Sequence, residues 1–101
     1  MDPQTARLME NVSRTCHKHL VGDPFRVEGV VTRILSDLLM LRDEGILAKY
    51  PVDYDPSDVF SYSYRLEPMF PSGLIARYIA KWLIRRAIRR LIRHMLEQVH
   101  S

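Results

Sequence analysis

The fold of this chain is decided by residues 75–99, IARYIAKWLIRRAIRRLIRHMLEQV. At about 100° per residue, the first half of this stretch places Ile75, Ile79 and Trp82 on one side of a helix. The apolar residues of the second half lie on the opposite side: Ile84, Ala87, Ile88, Leu91, Ile92, Met95 and Val99. The first stripe continues as arginine, at Arg86, Arg89 and Arg93. The pattern predicts one long helix whose apolar face reverses midway.

A helix over residues 72–100 would be roughly 40 Å long at 1.5 Å per residue. Such a helix is too long and too two-faced to lie flat on the small body that the other residues form. We therefore expect residues 1–71 to form a body, with the first half of the helix packed on it, and residues 72–101 to end in an interaction arm. The predicted partner-binding residues are Ile84, Ile88, Leu91, Ile92 and Met95, flanked by Arg85, Arg86, Arg89, Arg90 and Arg93.

Charge is distributed unevenly along the 101 residues, a length that suits one domain. Residues 73–101 carry seven basic side chains and one acidic side chain, whereas residues 1–72 have a net charge of −3. An acidic body with a basic arm suits contact between copies of the chain, nucleic acid or an anionic membrane surface.

Two helices are predicted in the N-terminal part. An Asp-Pro pair stands at residues 2–3 and again at residues 23–24, and this pair is typical of a helix start. Gly22 and Gly45 follow the two apolar-periodic stretches and are typical of helix ends.

Two strands are predicted next, because polar and apolar residues alternate over residues 47–54 and again over residues 59–66. We expect a hairpin and hence an α+β fold in the order helix, helix, strand, strand, helix. The open edge of the second strand, with Phe60, Tyr62 and Tyr64 on one side, would accept or donate a strand between subunits.

The middle of the chain contains a longer pattern: Leu38, Leu41, Gly45, Leu47, Tyr50, Val52, Asp55, Asp58, Leu66, Pro68 and Ile75. Over residues 27–79 this order resembles the C-terminal module of contractile tail sheath proteins of bacteriophages and related injection machines. The resemblance implies a hairpin whose strand joins a neighbour's sheet. Because the chain lacks the large preceding domains of a sheath protein and adds a basic helix, the resemblance implies a small tail, baseplate or connector component.

No cofactor, metal or catalytic site is predicted. Cys16 and His19 share a helix face but lack further ligands nearby in sequence, and the acidic residues around Asp55 lack the glycine and glutamate of a calcium loop. Nucleophile-elbow, phosphate-loop and metalloprotease motifs are absent from the sequence. We expect a protein that is not an enzyme.

The arginine run leaves several partners open: a solvated face, an acidic neighbouring subunit, nucleic acid phosphates or a membrane surface. A membrane helix would favour lysine with bulky aromatics. The leading interpretation is a viral assembly protein that oligomerises, and the alternative is a small DNA- or RNA-binding regulator. A single cysteine and the lack of a secretory signal indicate a virion or host-cytoplasm location.

Overall fold

The computed structural model describes residues 2–55 and 66–101, and these residues form helices and turns without a strand. The α-helices are α1 (Pro3–His19), α2 (Pro24–Asp43) and α3 (Leu74–Val99). Short 3-10 helices lie at Leu47–Lys49 and Glu67–Met69. The described part of the chain is all-α, so the predicted α+β class is wrong.

The first two helices begin as the sequence predicts. The Asp2 carboxylate accepts a hydrogen bond from the Thr5 backbone at 3.2 Å, and the Asp23 carboxylate accepts one from the Phe25 backbone at 3.0 Å. A proline follows each cap, where its missing N–H is not needed. Both N-terminal helices are therefore confirmed.

The predicted hairpin is wrong because its first strand does not form. Over residues 47–54 the backbone makes local turns, with bonds from Tyr50 N to Leu47 O at 3.1 Å and from Tyr54 N to Pro51 O at 3.0 Å. Proline cannot donate to a strand ladder, which favours such local bonding. The second predicted strand, with edge residues Phe60, Tyr62 and Tyr64, lies outside the described residues apart from Leu66, which precedes the second 3-10 helix.

Helix α1 runs antiparallel to α3, and contacts at both ends fix this direction. At one end the Gln98 amide donates to the Asp2 carboxylate at 2.8 Å. At the other end the Val21 backbone donates to the Met69 carbonyl at 2.8 Å, just before α3 begins. Helix α2 returns along α1, and Leu47 closes the core with no exposed surface.

The second half of α3 belongs to this core. The five apolar residues predicted to meet a partner are at most 7% exposed within their own chain: Ile84, Ile88, Leu91, Ile92 and Met95. Apolar residues of α1 and the residue that follows it share the same core: Leu8, Val12, Cys16 and Leu20. The predicted assignment of these five residues to a partner, and the predicted projecting arm, are therefore wrong.

Unequal helix lengths explain why the second half of α3, and not the first half, lies beside α1. Helix α3 has 26 residues and α1 has 17. The last turn of α3 lies beside the first turn of α1, where Gln98 contacts Asp2. The start of α3 therefore extends about 13 Å beyond α1 at 1.5 Å per residue. The half of α3 that reaches past α1 is the first half, and the second half has the neighbour.

Candidate interaction surface on the third helix

The outer face of α3 is the side turned away from α1, and its first half is apolar. Leu74 is 86% exposed and Trp82 remains 52% exposed. We call the following residues the apolar half of the outer face: Leu74, Ile75, Tyr78, Ile79 and Trp82. Large exposed side chains that adjoin on one helix form a patch, and such patches mark interaction sites.

Contacts on the other side of α3 hold its first half in place. Arg77 and Lys81 both pair with Glu67, at 3.4 Å for Lys81. The same two cations lie 5.8 and 5.4 Å from the ring centre of Phe70, which is buried. These contacts anchor the start of α3 to the preceding segment, so the apolar half is presented by an ordered helix.

The outer face continues as a basic half. Five arginines there are exposed: Arg85, Arg86, Arg89, Arg90 and Arg93. Across residues 2–55 and 66–101, no carboxylate forms an ion pair with them, whereas Arg14 pairs with Glu10 at 2.9 Å and Arg42 pairs with Asp43 at 3.0 Å. The basic half is a surface of uncompensated positive charge.

A groove of about 420 Å³ lies where the two halves meet. Two aromatic and four cationic side chains of α3 line it: Tyr78, Trp82, Lys81, Arg85, Arg86 and Arg89. The Arg86 guanidinium lies 5.4 Å from the ring centre of Trp82, within cation–π distance. The junction therefore suits an apolar group that has an acidic group beside it.

A second polar cluster joins the two chain ends of the bundle. The Asp2 carboxylate also accepts from the Thr5 hydroxyl, and hydrogen bonds from Thr5 and Gln98 hold the pKa of Asp2 well below its usual range. His94 Nε2 is enclosed and has no hydrogen bond, although it lies 3.4 Å from Asp2 Oδ2. At that separation the contact is an electrostatic one without hydrogen-bond geometry. The cluster has a structural role as a cap and clamp.

The region around the cysteine is structural as well. Cys16 is buried, and burial raises the pKa of its thiol to about 12. His17 contacts Glu28 of α2 at 2.5 Å instead of approaching Cys16. Within the part of the chain that the structure describes, no group of His, Cys, Asp or Glu side chains is arranged to hold a metal ion.

The structure separates the predicted partner-binding residues into an exposed group and a buried group. It leaves the five predicted arginines on the surface and removes the five predicted apolar residues to the core. In their place it exposes Ile75, Ile79 and Trp82, which the helical pattern identifies as a stripe, together with Leu74 and Tyr78. The sequence therefore contains a signal for this surface, in the apolar stripe that the helical pattern predicts to pack on the body.

Comparison with protein-family models, with curated proteins and with solved structures gave no match to this chain. The resemblance to a tail sheath module stays a prediction, and the first strand of its hairpin is absent from residues 47–54. Among the helices of the described residues, none combines enough length with enough apolar character to cross a bilayer.

Proposed function

We propose that this chain is a non-enzymatic interaction protein that binds another protein through the outer face of α3. The observation that carries the proposal is the apolar half of that face, which stands exposed on an anchored helix. Monomeric proteins rarely leave several large apolar side chains adjoining one another in water. A bound partner would remove this surface from water.

Magnitudes indicate that the partner also contacts the basic half. Covering an exposed aliphatic or aromatic side chain contributes roughly 1.5 to 3 kcal/mol when burial is complete. Five partly covered side chains then contribute roughly 5 to 10 kcal/mol, which is comparable to the cost of association, roughly 4 to 15 kcal/mol. The apolar half alone gives marginal binding. Acidic groups opposite the arginines would steer association and fix the orientation, and the closest charge pairs would add affinity.

A role in assembly fits this surface, and the particle in which we propose that the chain assembles is a viral tail or connector. The mechanism differs from strand addition, because the hairpin that would supply an edge does not form over residues 47–54. In the proposed mechanism α3 itself is the contact element: its second half holds the bundle together and the outer side of the helix binds the neighbour.

A second candidate function is nucleic acid binding, and the uncompensated charge of the basic half favours it. Arginine suits phosphate contacts, and no Asn or Gln lies among these arginines to read bases. If about five phosphates are contacted, affinity should fall roughly several-hundred-fold between about 50 and 200 mM salt. A partly apolar protein interface should lose far less over the same range.

Purification of the tagged chain from its native source tests the proposal. The triple variant Ile75→Ser, Tyr78→Ser and Trp82→Ser should lose a partner protein that the wild-type chain retains. Phe25→Ser is the matched control, since Phe25 is an apolar side chain that is 87% exposed on a different helix, α2. Both variants should keep the circular dichroism melting curve of the wild-type chain.

Three results would contradict protein binding through this face. One is an unchanged partner in the triple variant, and another is equal loss in the Phe25→Ser control. The third is co-purification of nucleic acid alone, released between about 50 and 200 mM salt, which would favour the second candidate.

A further inference from the structure

We infer that the bound segment of the partner is a helix that runs antiparallel to α3, with acidic residues in its first half and apolar residues in its second half. This inference rests on the proposed function. It adds the conformation, the charge pattern and the direction of the partner segment.

The state of the α3 backbone indicates a helical partner. Every N–H of a helix beyond the first turn bonds to a carbonyl of the same helix, so the outer face of α3 offers side chains and no free backbone partners. Residues 2–55 and 66–101 also contain no strand whose edge an extended segment might join. A segment that buries itself here must satisfy its own backbone groups, and a helix does so.

The length and chemistry of the segment follow from the outer face. The apolar and basic halves extend from Leu74 to Arg93, which corresponds to about 30 Å at 1.5 Å per residue. A helix of about 20 residues covers this distance. Apolar residues on two or three of its turns would meet the apolar half, and carboxylates on its other turns would meet the arginines, at spacings of about three to four residues.

The groove at the junction gives this segment a fixed register. An apolar side chain at the middle of the partner helix would fill the groove beside Trp82, while a carboxylate one turn away would reach Arg85 or Arg89. Bidentate carboxylate contacts are the preferred geometry of a guanidinium. The junction therefore fixes the register of the partner helix, so that its apolar half lies on the apolar half of the outer face and its acidic half lies on the basic half.

Helix dipoles indicate the direction. Acidic residues stabilise a helix near its N-terminus and destabilise it near its C-terminus. The acidic half of the partner must lie against Arg85 to Arg93, in the second half of α3. If that acidic half is also the N-terminal half of the partner helix, the two helices are antiparallel and their dipoles oppose each other favourably.

A second copy of this chain does not fit the same face. A two-fold contact along the full outer face would place the arginines of one copy against those of the other if the helices are parallel. If the helices are antiparallel, the arginines would lie against the apolar half instead. Like-charge contact and unpaired burial of a charge are both unfavourable. The partner must therefore supply the acidic groups.

A bilayer is also less suitable than a helix. A helix lying on a membrane carries its apolar and basic stripes side by side along its length. On α3 the apolar and basic residues succeed each other on one face, so a helix lying flat cannot bury Ile75 and Ile79 without also burying Arg86 and Arg93. A helical partner can change its own chemistry along its length to match.

Two peptides of about 20 residues with identical composition test the inference with the full chain. One has acidic residues first and apolar residues second, and the other has the reverse order; both carry the same helix-stabilising staple. Anisotropy of the labelled peptides gives affinity, and emission from Trp82, the sole tryptophan, reports burial of the outer face. We expect the acid-first peptide to bind at least about threefold tighter and to shift Trp82 emission to shorter wavelength.

Charge reversal locates the contact. Arg89→Glu should weaken binding of the acid-first peptide at least about tenfold, whereas Arg7→Glu on the exposed side of α1 should leave it within about twofold. Equal affinity for the two peptides, or tighter binding of the acid-last peptide, would overturn the antiparallel direction. Equal effects of the two charge reversals would overturn the assigned contact.

Other probes distinguish failure of this inference from failure of the proposed function. If neither peptide binds while the native partner still depends on Ile75, Tyr78 and Trp82, the helical ligand is overturned and protein binding stands. Binding of anionic lipid vesicles or duplex DNA in place of both peptides would overturn both. Dimers in sedimentation that dissociate on Ile75→Ser would assign the face to a second copy and overturn the acidic helix.

Discussion

The two halves of α3 both contain large apolar residues, but these residues are buried in the second half and exposed in the first half. In the second half, Ile88 and Leu91 are buried against α1, whereas in the first half Ile75 and Ile79 face water. Both halves carry aliphatic residues at helical spacing, so hydrophobicity alone does not separate them. What separates them is the side of the helix on which they lie: the apolar residues of the second half are on the side that faces α1, and those of the first half are on the outer face. The position of the neighbour decides which apolar residues become core.

Removing the second half of α3 should have the largest effect on the bundle. A chain truncated after Leu83 loses the buried residues from Ile84 to Leu96 and leaves the apolar side of α1 uncovered. We expect loss of cooperative unfolding, measured by circular dichroism during urea titration. A truncated chain that still unfolds cooperatively would show that α3 is dispensable for the fold and would contradict the placement of its second half.

A single core truncation should have a smaller effect that still distinguishes the halves. Leu91→Ala should lower the free energy of unfolding by about 2 to 5 kcal/mol, because Leu91 is fully buried and its removal leaves a cavity. Ile75→Ala, at an exposed position of the same helix, should change it by at most about 0.5 kcal/mol. Urea unfolding measures both, and equal losses would contradict the contrast between the halves.

These local and long-range effects also explain how far the sequence could predict the fold. The Asp-Pro starts of α1 and α2 depend on neighbouring residues only, so they were predictable. The reversal along α3 was also readable from helical periodicity. The sequence did not show which part of the chain packs on each half of α3, because the position of α1 along α3 is fixed by contacts between residues far apart in sequence.

The wrong strand has a local cause. Alternation over residues 47–54 is short, and consecutive tight turns can also place Leu47 inward with polar neighbours outward. Pro51 is the residue that argues for turns over a strand, since proline has no backbone N–H to donate to a neighbouring strand. For the candidate surface, the arginines were predictable because exposed charge needs no particular neighbour. Exposure of Ile75 and Trp82 required knowledge of which side of α3 faces the rest of the chain.

The smallest predicted effect concerns the end of the bundle where α1 and the second half of α3 meet. Hydrogen bonds hold the pKa of Asp2 below its usual value of about 4, so its carboxylate stabilises the folded chain above that pH. The contribution is lost as pH falls through the lowered folded-state pKa. Asp2→Asn should flatten the acid limb of the melting temperature between about pH 4 and pH 2, and an unchanged acid limb would remove this role from Asp2.

Thiol accessibility in the native monomer tests the contrast between the halves most directly. Cysteines introduced singly as Ile79→Cys and Ile88→Cys, each with Cys16→Ser, compare one exposed and one buried position of α3. Cys16 itself is the buried reference, since burial raises its pKa to about 12 and suppresses the reactive thiolate. We predict that position 79 reacts at the rate of a free thiol, whereas position 88 and Cys16 react only as the chain unfolds. Rapid reaction at position 88 with protection at position 79 would contradict the account.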